Sequence, residues 1–199
     1  MIVQGVSISD MLNQSMQVLT KPSIQTLEQY ERRGGQREAL TYIGVAAAIA
    51  GVAGLLGGFF SGGILGALLY GVLGALGVVV GFLIFVNVVH FVGKSQGGTG
   101  ELSEVYYTLA LISAPILAIN NAVGAIPVLG CIALPVTFAL GIYQIYLSYL
   151  GTRSSMNIEQ TPAIITVIAG YAAQIIVGMI IGGIFAAIAV ALGVVQAQF

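Results

Sequence analysis

The sequence predicts an all-α protein: a polytopic transmembrane helix bundle of five spans, preceded by a short amphipathic cytoplasmic segment. Three observations carry that expectation. Hydrophobic residues make up 58% of the 199 residues and charged residues only 7%, against roughly 25% charge in soluble domains. The mean hydropathy is +1.02. Charge is also missing from three long stretches: 55 residues between Glu38 and Lys94, 48 between Glu104 and Arg153, and 40 after Glu159. A span needs about 20 residues at a rise of about 1.5 Å each. The first two stretches therefore hold two spans and a turn each, and the third holds one long span or two short ones.

Composition excludes several classes of function. Six basic and seven acidic residues give a net charge of −1, which is no footprint for nucleic acid. One Cys and one His leave no disulfide framework and no multi-His or multi-Cys metal site. No cofactor or metal is expected.

Residues 1–38 form the expected cytoplasmic segment and 39–199 the membrane domain. Within the segment, Ile8, Met11, Leu12, Ser15, Met16 and Leu19 recur at helical steps, with Asp10, Asn13, Gln14 and Gln17 between them. Pro22 interrupts the pattern, and a second helix starting there carries Ile24, Leu27 and Tyr30. Arg32-Arg33-Gly34-Gly35 reads as a hinge before the membrane. The segment either caps the cytoplasmic ends of the bundle, lies on the inner leaflet or presents a surface to a partner. No short apolar core with a small-residue cleavage site precedes the first long apolar run, so no cleavable signal is expected.

Turn signals divide the uncharged stretches. The first breaks around Gly57-Gly58 and Ser61-Gly62-Gly63, the second at Asn120-Asn121 and Gly124, before Ile126-Pro127. The expected spans are 39–60, 64–92, 104–120, 126–150 and 162–195. The last is over-long, with Gly182-Gly183 inside it; the competing reading breaks it into a sixth span from Ile184. With five spans, Lys21, Arg32, Arg33, Arg37, Lys94 and Arg153 all fall on one side of the membrane. The positive-inside rule makes that side cytoplasmic, which puts the N-terminus inside and the C-terminus outside. In a prokaryote the membrane is the plasma membrane.

The spans are rich in small residues. Gly54/Gly58, Gly62/Gly66, Gly77/Gly81 and Gly178/Gly182 each make a G-x-x-x-G step. Such steps let backbones approach closely in lipid, either inside one bundle or on a self-association face. Pro115, Pro127 and Pro135 each leave a helical carbonyl without its donor. No acidic residue stands at mid-membrane to bind a cation, so kinks are expected rather than transport sites. His90 lies four residues before Lys94 with Asn87 one turn earlier, and is read as interfacial. Gln144 and Gln174 are expected to hydrogen-bond across the bundle. Tyr42, Tyr106, Tyr107, Tyr143, Tyr146 and Tyr149 read as an interfacial aromatic belt, and Cys131 as a small apolar residue.

An ordered set of features then resembles a known family. A Pro-x-x-x-x-Leu step (Pro22 to Leu27) precedes the first span. His90 ends the second and is followed by Gly97-Gly98-Thr99-Gly100. Tyr106-Tyr107 and Pro115 follow, then Ile126-Pro127, Gly130, Ile142-Tyr143 and Pro162-Ala163. Over nearly its whole length the chain resembles the Yip-one family of membrane proteins, whose eukaryotic members interact with Rab-type small GTPases. The resemblance implies five spans and a cytoplasmic N-terminus. The chain lacks the Asp-Leu-Tyr-Gly-Pro-like stretch of the eukaryotic members and looks more like the bacterial and archaeal ones. No nucleophile, base or metal set is assembled by spacing, so no enzymatic activity is expected. The expected function is a non-enzymatic membrane scaffold or adaptor. Its partners are the lipid bilayer, further copies of itself through Gly-rich faces, and a cytoplasmic protein. His90, Gly97, Gly98, Gly100, Tyr107, Pro115 and Gln174 are the candidate interaction and packing residues. The competing function is a small oligomeric transporter or channel, with Pro115, Gln144 and Gln174 along its path.

Overall fold

The computed structural model describes residues 5–125 and 127–194, and of 127–131 the backbone alone. Ile126, the side chains of Pro127 and Cys131, and the end of the last expected span at Val195 lie outside the described residues. The elements are α1 (Ile8–Thr20), α2 (Ile24–Glu28), α3 (Gln36–Ser95), α4 (Leu102–Gly124), α5 (Pro127–Met156) and α6 (Gln160–Ala191). Among the described residues every regular element is helical. Four helices, α3 to α6, are long and apolar enough to cross a membrane.

α3 is two helices in one. Its regular geometry breaks at Gly62 and at Gly63, whose φ of 60° and ψ of −145° suit glycine alone. The two arms, 36–61 and 64–95, fold back on each other. A methyl group on Gly54 would strike the Tyr70 carbonyl, one on Gly58 the Gly66 carbonyl, and one on Gly74 would sit 2.6 Å from the Ala50 carbonyl. Those pairs run antiparallel about the break. The missing side chains let the backbones touch, and dispersion at that distance holds the arms together.

The other turn signals behave differently. Gly57-Gly58 stays helical, with Gly58 against the opposite arm at Gly66 and Gly57 facing the Ala125 carbonyl. Asn120-Asn121 does not end α4, which continues to Gly124. The Asn121 amide donates to the Leu117 carbonyl one turn back at 2.8 Å and so stays inside the helix. α6 runs unbroken through Gly182-Gly183, against a sixth span.

α4 forms the centre. Two-thirds of its apolar window is buried, 67% against 11% for α5 and 6% for α6. Its two sides meet the arms of α3 and the inner half of α5. Phe82 stacks edge-on against Tyr106, and the Asn87 amide donates to the Tyr106 hydroxyl at 2.8 Å. α6 lies on the second arm of α3. Gly170 accepts the Phe85 ring and the Val89 methyl, and Val194 packs on Gly62 and Gly66 at the hairpin turn. The bundle thus has a turn end, near Gly62 and Gly124, and a charged end, where Glu31, Arg32, Glu38, Glu104 and Ser154 meet.

Candidate functional site

The charged end is closed by the N-terminal segment. Ser7 caps α1 by accepting from the Asp10 N–H at 3.1 Å. Ser23 caps α2 by accepting from Thr26. α2 is a single short turn starting after Pro22 rather than at it. At 100° per residue α1 has three sides. Met11, Gln14, Ser15 and Val18 are buried in the bundle; Ile8, Leu12 and Met16 make an exposed apolar stripe; Asp10, Asn13 and Gln17 face the third way. The sequence reading put Ile8, Leu12 and Met16 on one face with Met11 and Ser15; the structure separates them, burying Met11 and Ser15 against the bundle and leaving Ile8, Leu12 and Met16 exposed.

Tyrosines dock the segment. The Tyr107 hydroxyl donates to Gln14 Oε1 at 2.9 Å, Tyr42 donates to Ser15 at 3.1 Å, and Tyr143 donates to the Leu19 carbonyl at 2.7 Å. Tyr30 donates to Gln17. Tyr42, Tyr106 and Tyr107 are buried. The expected aromatic belt is corrected to that extent. Tyr42 and Tyr107 are core posts that hold the segment, Tyr106 packs within the bundle, and of the six only Tyr146 is exposed. Gly34 lies flat on the Tyr107 ring, where a side chain has no room, and Gly35 caps α3 with its N–H donated to Glu38 at 3.0 Å. The expected hinge is therefore packed.

Ions cross-link the same end. Arg32 Nε lies 2.9 Å from Glu104 Oε1, and Glu104 closes the start of α4 by accepting from the Glu101 N–H. Ser154 of α5 donates to Glu31 Oε2 at 2.8 Å, and Glu31 is only 5% exposed. Burial pushes the Glu31 carboxyl above the usual carboxylate value; the Ser154 hydroxyl opposes this and the neighbouring Glu104 adds to it. A carboxyl raised in the folded state contributes stability fully below its unfolded value, and that contribution is lost as pH rises through the raised one. Glu31→Gln keeps an oxygen for Ser154 and removes the charge. Its thermal midpoint at pH 7 is expected to exceed the wild type by roughly 2–4 °C, the shift about 1 kcal/mol makes in a domain of this size. The difference should vanish below the ordinary carboxylate range. A detergent thermal-shift series against pH checks it.

The glycine loop sits beside this cap. Gly97 takes a φ of +89°, and the Thr99 N–H donates to the Met156 carbonyl at 3.0 Å. Gly98 is packed by the Met156 side chain, and Gly100 lies against the Ser155 carbonyl so closely that a methyl has no place. Gly98 and Gly100 are thus packed against the α5–α6 connection, while Gly97 has open surroundings and His90 lies in the last turns of α3; Tyr107 stands across the same end. Pro115 and Gln174 are elsewhere. Pro115 lies inside an unbroken α4, and Gln174 lies across Gly81 of α3, 2.9 Å from where a methyl would be. Sequence reasoning missed Gln14, Ser15, Glu31, Arg32, Glu104 and Ser154; the alternation of carboxylates and arginines around the hinge was the available signal. Among the described residues no group of three or more His, Cys, Asp or Glu is placed to hold a metal.

An all-helical bundle with four membrane-length helices and a plugged charged end defines an integral membrane protein. The Yip1 domain matches residues 16–182, and the chain belongs to the Yip1 domain family. Comparison with curated proteins found no match, and neither did comparison with solved structures.

Proposed function

We propose that the protein is a non-enzymatic membrane scaffold or adaptor that crosses the bilayer five times. The two arms of α3 cross separately, and the charged end faces the cytoplasm. The observation that carries this reading is the capped charged end: side-chain and main-chain bonds join residues 5–38, the glycine loop and the α5–α6 connection into one surface. The six basic residues all belong to the segments at that end, in keeping with a cytoplasmic face. Self-association falls to α6. Nothing lies within 4 Å of a methyl placed on Gly178, Gly182 or Gly183, and small residues open to lipid favour helix–helix contact.

Cysteine accessibility tests the topology. In a Cys131→Ser background, a single cysteine at Ser9 should react only from the cytoplasmic side and one at Gly193 only from the other. Labelling of both from one side rules out five crossings. Proximity labelling from the N-terminus should recover cytoplasmic proteins that labelling from the C-terminus does not; identical sets would remove the adaptor role. Solute flux through reconstituted liposomes would favour a transporter instead.

A further inference from the structure

A cleft of about 550 Å³ separates the third side of α1 from the chain leading into α3, lined by Asp10, Asn13, Gln14, Gln17, Tyr30 and Arg33. Its volume falls in the range of ligand sites, about 300–1,000 Å³. Two tyrosines fix the chemistry of its wall. The Tyr107 and Tyr30 hydroxyls donate to the amide oxygens of Gln14 and Gln17. Both glutamines thereby keep their NH2 groups for another acceptor, and among the described residues none takes them. Gln14 is 8% exposed, so its amide is held at the floor of the cleft rather than on a mobile surface chain. Asn13 adds a third primary amide.

Opposite charges line the cleft. Asp10 is in the first turn of α1, held by the Ser7 hydroxyl at 2.6 Å. Arg33 lies over the Tyr30 ring, 5.2 Å from its centre, and Tyr30 is bonded to Gln17. Asp10 and Gln17 are seven residues apart, about 10 Å along the helix. An extended chain of three residues covers about the same length. Primary amides pair with peptide N–H and C=O groups, a carboxylate takes an ammonium, and a guanidinium takes a carboxylate in paired bonds.

We propose that this cleft binds an extended peptide segment, with a lysine-type ammonium at Asp10, a carboxylate at Arg33 and its main chain against Asn13, Gln14 and Gln17. The proposal rests on the adaptor reading and names the class of partner. A free zwitterion such as phosphoethanolamine brings no main chain for the three amides. The apolar stripe of α1 that suits lipid is on another side of the helix.

The test uses the full-length protein in nanodiscs and three end-capped peptides, Lys-Ala-Ala-Glu, its reverse Glu-Ala-Ala-Lys, and Gln-Ala-Ala-Gln, read by saturation-transfer NMR. One charged peptide should bind, and the neutral one should bind about tenfold more weakly or less. Arg33→Gln and Asn13→Ala, both at exposed positions, should each weaken binding about tenfold, a loss of about 1.4 kcal/mol, with the thermal midpoint unchanged in Asn13→Ala. No binding of either charged peptide, equal binding of all three, binding that survives Arg33→Gln, or competition by phosphoethanolamine would each overturn the proposal. None of these outcomes touches the topology or the proximity-labelling result, so the adaptor reading fails or stands separately.

Discussion

Gly100→Ala should lower the thermal midpoint by roughly 6–12 °C, which corresponds to about 3 kcal/mol in a domain of this size. The added methyl would lie inside the Ser155 carbonyl and against Met156 Cα, 2.9 Å away. Both are backbone atoms of α5, so no rotamer change relieves the clash. The 95–101 loop has to lift, and with it goes the Thr99-to-Met156 bond. Gly77→Ala is the control. Nothing lies within 4 Å of its methyl, and the exchange should be neutral or stabilise the helix by roughly 0.5–1 kcal/mol. Scanning fluorimetry of detergent-purified variants decides the matter; equal midpoints for Gly100→Ala and wild type would mean the loop is not seated on α5.

The second large effect belongs to the hairpin. Gly54→Leu and Gly58→Leu should each destabilise the protein by about 3 kcal/mol, and the pair together should prevent its recovery as a monodisperse species. Each side chain would be driven into a carbonyl of the opposite arm, at Tyr70 and at Gly66. Gly178→Leu and Gly182→Leu, which have the same spacing, should leave the midpoint of the monomer unchanged because their surroundings are open. Size-exclusion chromatography with thermal unfolding separates the two sets. A hairpin that tolerates leucine at both positions would place the arms further apart than described.

These two glycine pairs show what was legible in the sequence. The charge-free stretches locate the helices because an ion in lipid is costly wherever it occurs, so position along the chain is enough. Identical G-x-x-x-G spacing, in contrast, serves a packed hairpin at Gly54/Gly58 and an open surface at Gly178/Gly182. Which of the two applies depends on what lies opposite. The tyrosines failed for a related reason. A helix apolar on all sides carries little periodicity, so proximity to a span end put Tyr42, Tyr106 and Tyr107 in a belt when their rotation about the axis puts them in the core. The N-terminal segment was legible as helical and amphipathic. Its partners were not, because Gln14, Ser15 and Glu31 are bonded to residues 27 to 123 positions away in the chain.

The contact of Val194 with Gly62 and Gly66 has a consequence for biogenesis. Synthesis delivers the two arms of α3 early, and their glycine faces can zip as soon as both are made. The bend between them stays uncovered until the final helix emerges more than a hundred residues later. A chain ending before α6 would leave the bend at Gly62 and Gly66 without the Val194 side chain that covers it.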